Sequence, residues 1–127
     1  WTADELEIAA LVARYHRGAT PTTDHRGFAA LGPSQRDMVL HLSGILRLAA
    51  AFDFDRSGAV RHVMVSSQAN GVQITAQGYS AREDHARVLT AERHLLERAL
   101  RRPVLIRPRA VGPKKIPPRV PLAAVVA

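Results

Sequence analysis

A chain of 127 residues with 46% hydrophobic content fits one domain that can bury a core, and 5% aromatics leave that core to Leu, Val, Ile and Ala. The absence of cysteine excludes disulfides and thiolate metal sites, and no apolar run approaches the ~20 residues that cross a bilayer. A formal net charge of +7, with 16 of the 18 basic residues being Arg, favours an anionic partner because guanidinium pairs phosphate oxygens bidentately, although a GC-rich genome also enriches Arg. Trp1 to Glu5 show neither a basic n-region nor an apolar h-region, so no signal peptide is expected. A cytoplasmic setting without a membrane partner is the matching expectation.

The first helix is predicted from Asp4 to Arg17, capped by Thr2 or Asp4. Ile8, Leu11, Val12 and Tyr15 recur at i, i+3, i+4 and i+7 as one apolar stripe. Arg14, His16 and Arg17 gather at its C-terminal end, where the helix dipole favours cations, and Gly18 can take the left-handed conformation that stops it. A polar loop runs from Gly18 to Pro33, with one short turn at Phe28 to Leu31. Sixteen residues is long for a connection, and such loops are often functional.

Ser34, with Asp37 three residues on, is expected to cap the second helix. Its apolar stripe is read as Met38, Leu42, Ile45, Ala49 and Phe52, widened by Val39, Leu46 and Ala50. An acidic turn follows, Asp53-Phe54-Asp55-Arg56-Ser57-Gly58. Alternation then predicts strands over ~59–67 and ~72–79, joined by the hairpin signal Asn70-Gly71. Ser80 and Glu83 open a third long helix that runs to about Leu100, and Val104-Leu105-Ile106 reads as a third strand. From Arg107 the chain is rich in Pro, Arg and Lys and shows no period, which predicts an extended tail.

Chemistry-bearing groups are few. His25, His41, His62, His85 and His94 lack metal-ligand spacing and read as surface or core-edge residues. Asp53 and Asp55 form the one tight acidic pair, for which turn-capping competes with a partial cation site. No phosphate loop, Gly-x-Ser-x-Gly or nucleophile–base pair is present. His16 either bonds a backbone carbonyl or faces an anion. Three Arg groups stand out: Arg14 with Arg17; Arg93, Arg98, Arg101 and Arg102; and Arg107 with Arg109, Lys114, Lys115 and Arg119.

The stretch Ile8-Ala9-Ala10-Leu11-Val12-Ala13-Arg14-Tyr15-His16-Arg17 with Pro21 resembles the "IANLARYHR…P" helix of the exopolyphosphatase / guanosine pentaphosphate phosphohydrolase family. Phe28-Ala29-Ala30-Leu31 is similar to the family's "hpaFaaL", Ser34-Gln35-Arg36 to its helix start, and Leu46-Arg47-Leu48-Ala49 to its "LLRLAdglDrs" segment. The resemblance spans roughly 4–107. It departs at Ala50, where the family tends to have an acid, and it lacks the upstream helices that carry an HD metal site.

The resemblance implies an α+β fold: an HD-type helical segment with two long helices over 1–57, then a small β-β-α-β unit with an antiparallel hairpin over 58–107, then the tail over 108–127. It implies an accessory domain that binds polyphosphate or another polyanion through Arg14, His16 and Arg17, none of them catalytic. Its partners would be N-terminal actin-like catalytic domains and, by dimer contact, a second copy. The full-length enzyme would hydrolyse terminal phosphoanhydride bonds of polyphosphate or guanosine pentaphosphate with Mg²⁺, with no cofactor or metal held in this chain. The alternative is a basic nucleic-acid-binding or structural interaction module without catalysis.

Overall fold

The computed structural model describes residues 1–109, so most of the predicted tail lies outside the described residues. Five helices and three strands follow in the order α1 (Ala3–Tyr15), α2 (Arg26–Ala29), α3 (Pro33–Phe52), β1 (His62–Gln68), β2 (Gly71–Gln77), α4 (Glu83–Glu92), α5 (His94–Leu100) and β3 (Val104–Pro108). The architecture is a mixed α+β fold.

Thr2 caps α1: its hydroxyl accepts from the Glu5 N–H at 3.1 Å, and the Glu5 carboxylate accepts from the Thr2 N–H at 2.7 Å. Gly18, at φ 67°, takes the left-handed turn just past the helix. Helix α3 starts earlier than its sequence suggests. Pro33 occupies the first turn, where a missing N–H costs nothing, and the Gln35 side chain accepts from the Gly32 N–H at 3.2 Å, so Ser34 lies inside the helix.

The hairpin forms with Gln68 opposite Gly71, which makes Ala69 and Asn70 the turn and places Gly71 in the strand. β2 is central: β1 pairs with it antiparallel and β3 parallel. The predicted third long helix is two, α4 and α5, divided at Arg93; Arg82 precedes α4 without a side-chain cap. The division lets the adjacent Leu95 and Leu96 enter different cores. β3 continues to Pro108, and the Arg109 N–H donates to the Ala76 carbonyl at 2.9 Å, so the start of the predicted tail follows the sheet.

Two apolar clusters hold these elements. One joins Leu48, Ala51 and Phe52 of α3 to Ile74, Ala76 and Val104 of the sheet, with Tyr79, Leu89 and Leu96. The other joins Leu11, Val12 and Tyr15 of α1 to Phe28, Leu31, Val39, Leu40 and Leu95. α3 contributes to both, so the helical part and the β-β-α-β unit share one spine. That spine is rotated from expectation. It buries Val39, Leu40, Ser43, Gly44, Arg47, Leu48, Ala51 and Phe52, and it leaves Met38, Leu42, Ile45 and Leu46 exposed. Apolar residues surround this helix, and periodicity alone cannot choose between two apolar faces.

Gly44 marks where α5 crosses α3. A Cβ there would lie 2.8 Å from both the Cα and the backbone N of Leu96. Gly44→Ala is expected to cost about 1–3 kcal/mol through overpacking, measured by urea unfolding. Burial raises the Tyr79 phenol above its ordinary 10.0. Folding therefore favours the neutral phenol, a contribution complete below the ordinary value and lost as pH rises through the higher folded one. Titration at 295 nm is expected to show Tyr79 ionising later in the folded chain than in the unfolded chain, with Tyr79→Phe removing that step.

Candidate anion-binding cleft

The loop after α1 is held by arginines. Tyr15 is fully buried, and its hydroxyl bonds His25 Nδ1 at 2.7 Å; the two rings stack with centroids 5.6 Å apart. Arg36 of α3 donates from Nε to the Phe28 carbonyl at 3.3 Å and from one terminal nitrogen to that of Ala29. Arg98 of α5 donates to the Pro21 carbonyl at 2.8 Å. Arg47, only 8% exposed, donates from Nε to the Tyr15 carbonyl at 2.7 Å, and from one terminal nitrogen to Gly18 at 2.7 Å and Ala19 at 2.9 Å. Its other terminal nitrogen meets Glu92 of α4 at 3.4 Å. Arg47 thereby satisfies carbonyls at and beyond the end of α1 that have no helical partner.

Over this junction opens a cleft of about 660 Å³ lined by His16, Arg17, Arg47, Asp53, Arg56 and Glu92, among others. His16 Nδ1 bonds the Ala13 carbonyl, which is the structural role anticipated for a helix-end histidine and leaves Nε2 as its other ring nitrogen. Arg17 and Arg56 form no ion pair among the described residues. Arg56 stands at φ 54°, in a turn where its N–H donates to the Asp53 carbonyl at 2.9 Å. Both acidic groups in the lining have partners, Glu92 with Arg47 and Asp53 Oδ1 with the Gly58 N–H at 2.9 Å. With Arg47 paired to Glu92, Arg17 and Arg56 outnumber Asp53, so the cleft lining carries a net positive charge.

Of the three residues singled out from sequence, His16 and Arg17 line this cleft. Arg14 does not: it is exposed, with its guanidinium 5.2 Å from the centroid of the Tyr15 ring. Arg56 was missed, because its position depends on the left-handed turn that folds 53–58 back beside α1. Most of the second Arg group is committed to acceptors within the chain. Arg93 donates to the Val104 carbonyl at 3.4 Å, and Arg102 to Ser67 Oγ at 2.8 Å and to the carbonyls of Gln68 and Gly71. His85 takes the core-edge alternative, 9% exposed with its ring 4.9 Å from those of Phe54 and Tyr79.

Asp53 and Asp55 act as turn formers. Asp55 Oδ1 accepts from the Ser57 N–H at 3.1 Å, and hydrogen bonding from the Ser57 hydroxyl and N–H lowers its carboxyl below the ordinary 3.8. Among the described residues no cluster of three or more His, Asp or Glu could hold a metal ion. No described helix is long and apolar enough to cross a membrane.

Arg47→Met is expected to lower unfolding stability by about 3 kcal/mol or more, since it strips charge-assisted hydrogen bonds from three carbonyls and leaves Glu92 unpaired. Urea unfolding checks the loss, and faster amide exchange across 15–19 would locate it. Compared with known families and with curated proteins, the chain matches no family model and no curated sequence.

Proposed function

We propose that this chain grips a phosphate polyanion in the cleft between the end of α1 and the 53–58 turn. Within that reading it serves as an accessory domain of an exopolyphosphatase-like phosphatase, whose actin-like domains would carry the hydrolysis of terminal phosphoanhydride bonds. What carries the proposal is the pairing pattern: Arg17 and Arg56 line a cleft of about 660 Å³ whose two carboxylates already have partners. Phosphate oxygens would accept from these guanidinium groups bidentately, with His16 Nε2 as a further donor when protonated. Arg47 cannot serve equally, since its nitrogens are taken by backbone carbonyls and Glu92. Its part is to hold the loop that positions Arg17. The role assigned is binding, not turnover.

Titration calorimetry with long-chain polyphosphate at near-physiological salt tests this, because weak nonspecific attraction to a basic protein fades there. Arg17→Ala and Arg56→Ala are each expected to cost about 1.5–3 kcal/mol for a charge-assisted contact, and Arg14→Ala much less. Equal binding by wild type and the Arg17→Ala/Arg56→Ala double variant would overturn the cleft. Loss of binding only on removing residues 110–127 would favour the nucleic-acid-type reading, in which the basic tail does the work.

A further inference from the structure

A slot of about 520 Å³ runs between α3 and the sheet. It exists because β1 extends the sheet past the helices. Val65 pairs with Ile74 and Val63 with Ala76; Ile74 and Ala76 are buried, whereas Val63 is 41% and Val65 66% exposed. The slot reaches the core: the buried Leu48, Phe52, Ile74 and Leu96 line its depth, and the exposed Ile45, Val63 and Val65 its mouth. A concave, mostly apolar site of roughly 300–1,000 Å³ is the size that takes a small ligand.

Its polar groups sit at one end. Of the described side chains that line it, only His41 and Ser67 are not hydrocarbon. α4 and α5 run back along α3, with Glu92 meeting Arg47 and Leu96 facing Gly44, so Leu100 reaches the His41 end. Arg102, two residues on, donates to Ser67 Oγ at 2.8 Å, which puts Ser67 at that end too. His41 commits Nδ1 to the Asp37 carbonyl at 2.7 Å. Ser67 differs: its oxygen accepts from Arg102, so its own O–H is left to donate. Arg102 forms no ion pair among the described residues, so an uncompensated positive charge stands behind that hydroxyl.

We infer that the slot binds a free fatty acid, with the acyl chain along its apolar walls and the carboxylate at the Ser67 hydroxyl. From Val63 to Ser67 β1 covers about 13 Å, the reach of an extended chain of roughly ten carbons. The walls select hydrocarbon. An extended polypeptide would bury N–H and C=O groups at every residue with no side-chain partner along these walls, and a polyanion would find no Lys or Arg lining them. The single polar end, with Arg102 behind it, selects one anionic head group over a neutral one.

Titration calorimetry of the full chain with octanoate, decanoate and dodecanoate, each below its micelle concentration, tests the inference. Each added methylene is expected to tighten binding about two- to fourfold. Dodecanol keeps the chain and lacks the charge, and is expected to bind about tenfold more weakly than dodecanoate. Ser67→Ala is expected to lose about that factor for dodecanoate and little for dodecanol. Val65→Glu sets a carboxylate in the mouth and is expected to weaken both ligands about tenfold or more. Both positions are exposed on an edge strand, so circular dichroism is expected to match wild type. Arg17→Ala/Arg56→Ala is expected to bind dodecanoate as wild type does, which separates the slot from the anion cleft. Phosphatidylcholine vesicles are expected to leave the chain unbound. Affinity indifferent to chain length, dodecanol equal to dodecanoate, binding unmoved by Ser67→Ala or Val65→Glu, loss of dodecanoate in the Arg17/Arg56 variant, or association with vesicles alone would each overturn it.

Discussion

The contact on which the rest depends is the buried guanidinium of Arg47. A charge taken out of water is costly unless its donors are satisfied, and here carbonyls of Tyr15, Gly18 and Ala19 and the carboxylate of Glu92 do so. In doing this, one side chain fixes three things: the end of α1, the path of the loop that leaves it, and the distance between α3 and α4. Apolar packing brings α1, α3 and α4 into proximity but has no direction. Arg47 supplies the direction, because its planar fork is satisfied in one relative placement of those elements.

The same economy runs through the other arginines. Arg36 and Arg98 donate to carbonyls of the 18–33 loop, so a loop long enough to look free is pinned from α3 and α5, while Arg93 and Arg102 donate to carbonyls of the sheet. A basic composition thus serves partly as internal scaffolding. The cationic character presented to a ligand is narrower than the net charge suggests, and it rests on Arg17 and Arg56. Scaffold and cleft meet at Arg47, which lines the cleft while its nitrogens hold the loop.

α3 unites the molecule. One side of it carries α1 and the short α2 turn, and another carries the sheet and α5, with Gly44 permitting the near contact to the Leu96 backbone. A third side is bare.

What could be read from the sequence was local. The Ile8–Leu11–Val12–Tyr15 stripe, the Gly18 stop, the hairpin near Asn70-Gly71 and the β3 segment depend on spacing and on residues whose backbone preferences act within a few positions, and all appear. The element order likewise gave an α+β fold. What only tertiary structure decided was which of two apolar faces α3 turns inward, which arginines are spent on carbonyls, and that Arg56 joins His16 and Arg17 while Arg14 stays outside. Each of these depends on contacts between residues tens of positions apart, such as Arg47 with Tyr15 or Arg98 with Pro21. A guanidinium reads the same in sequence whether it will meet a phosphate or a carbonyl, and the chain path around it makes that choice.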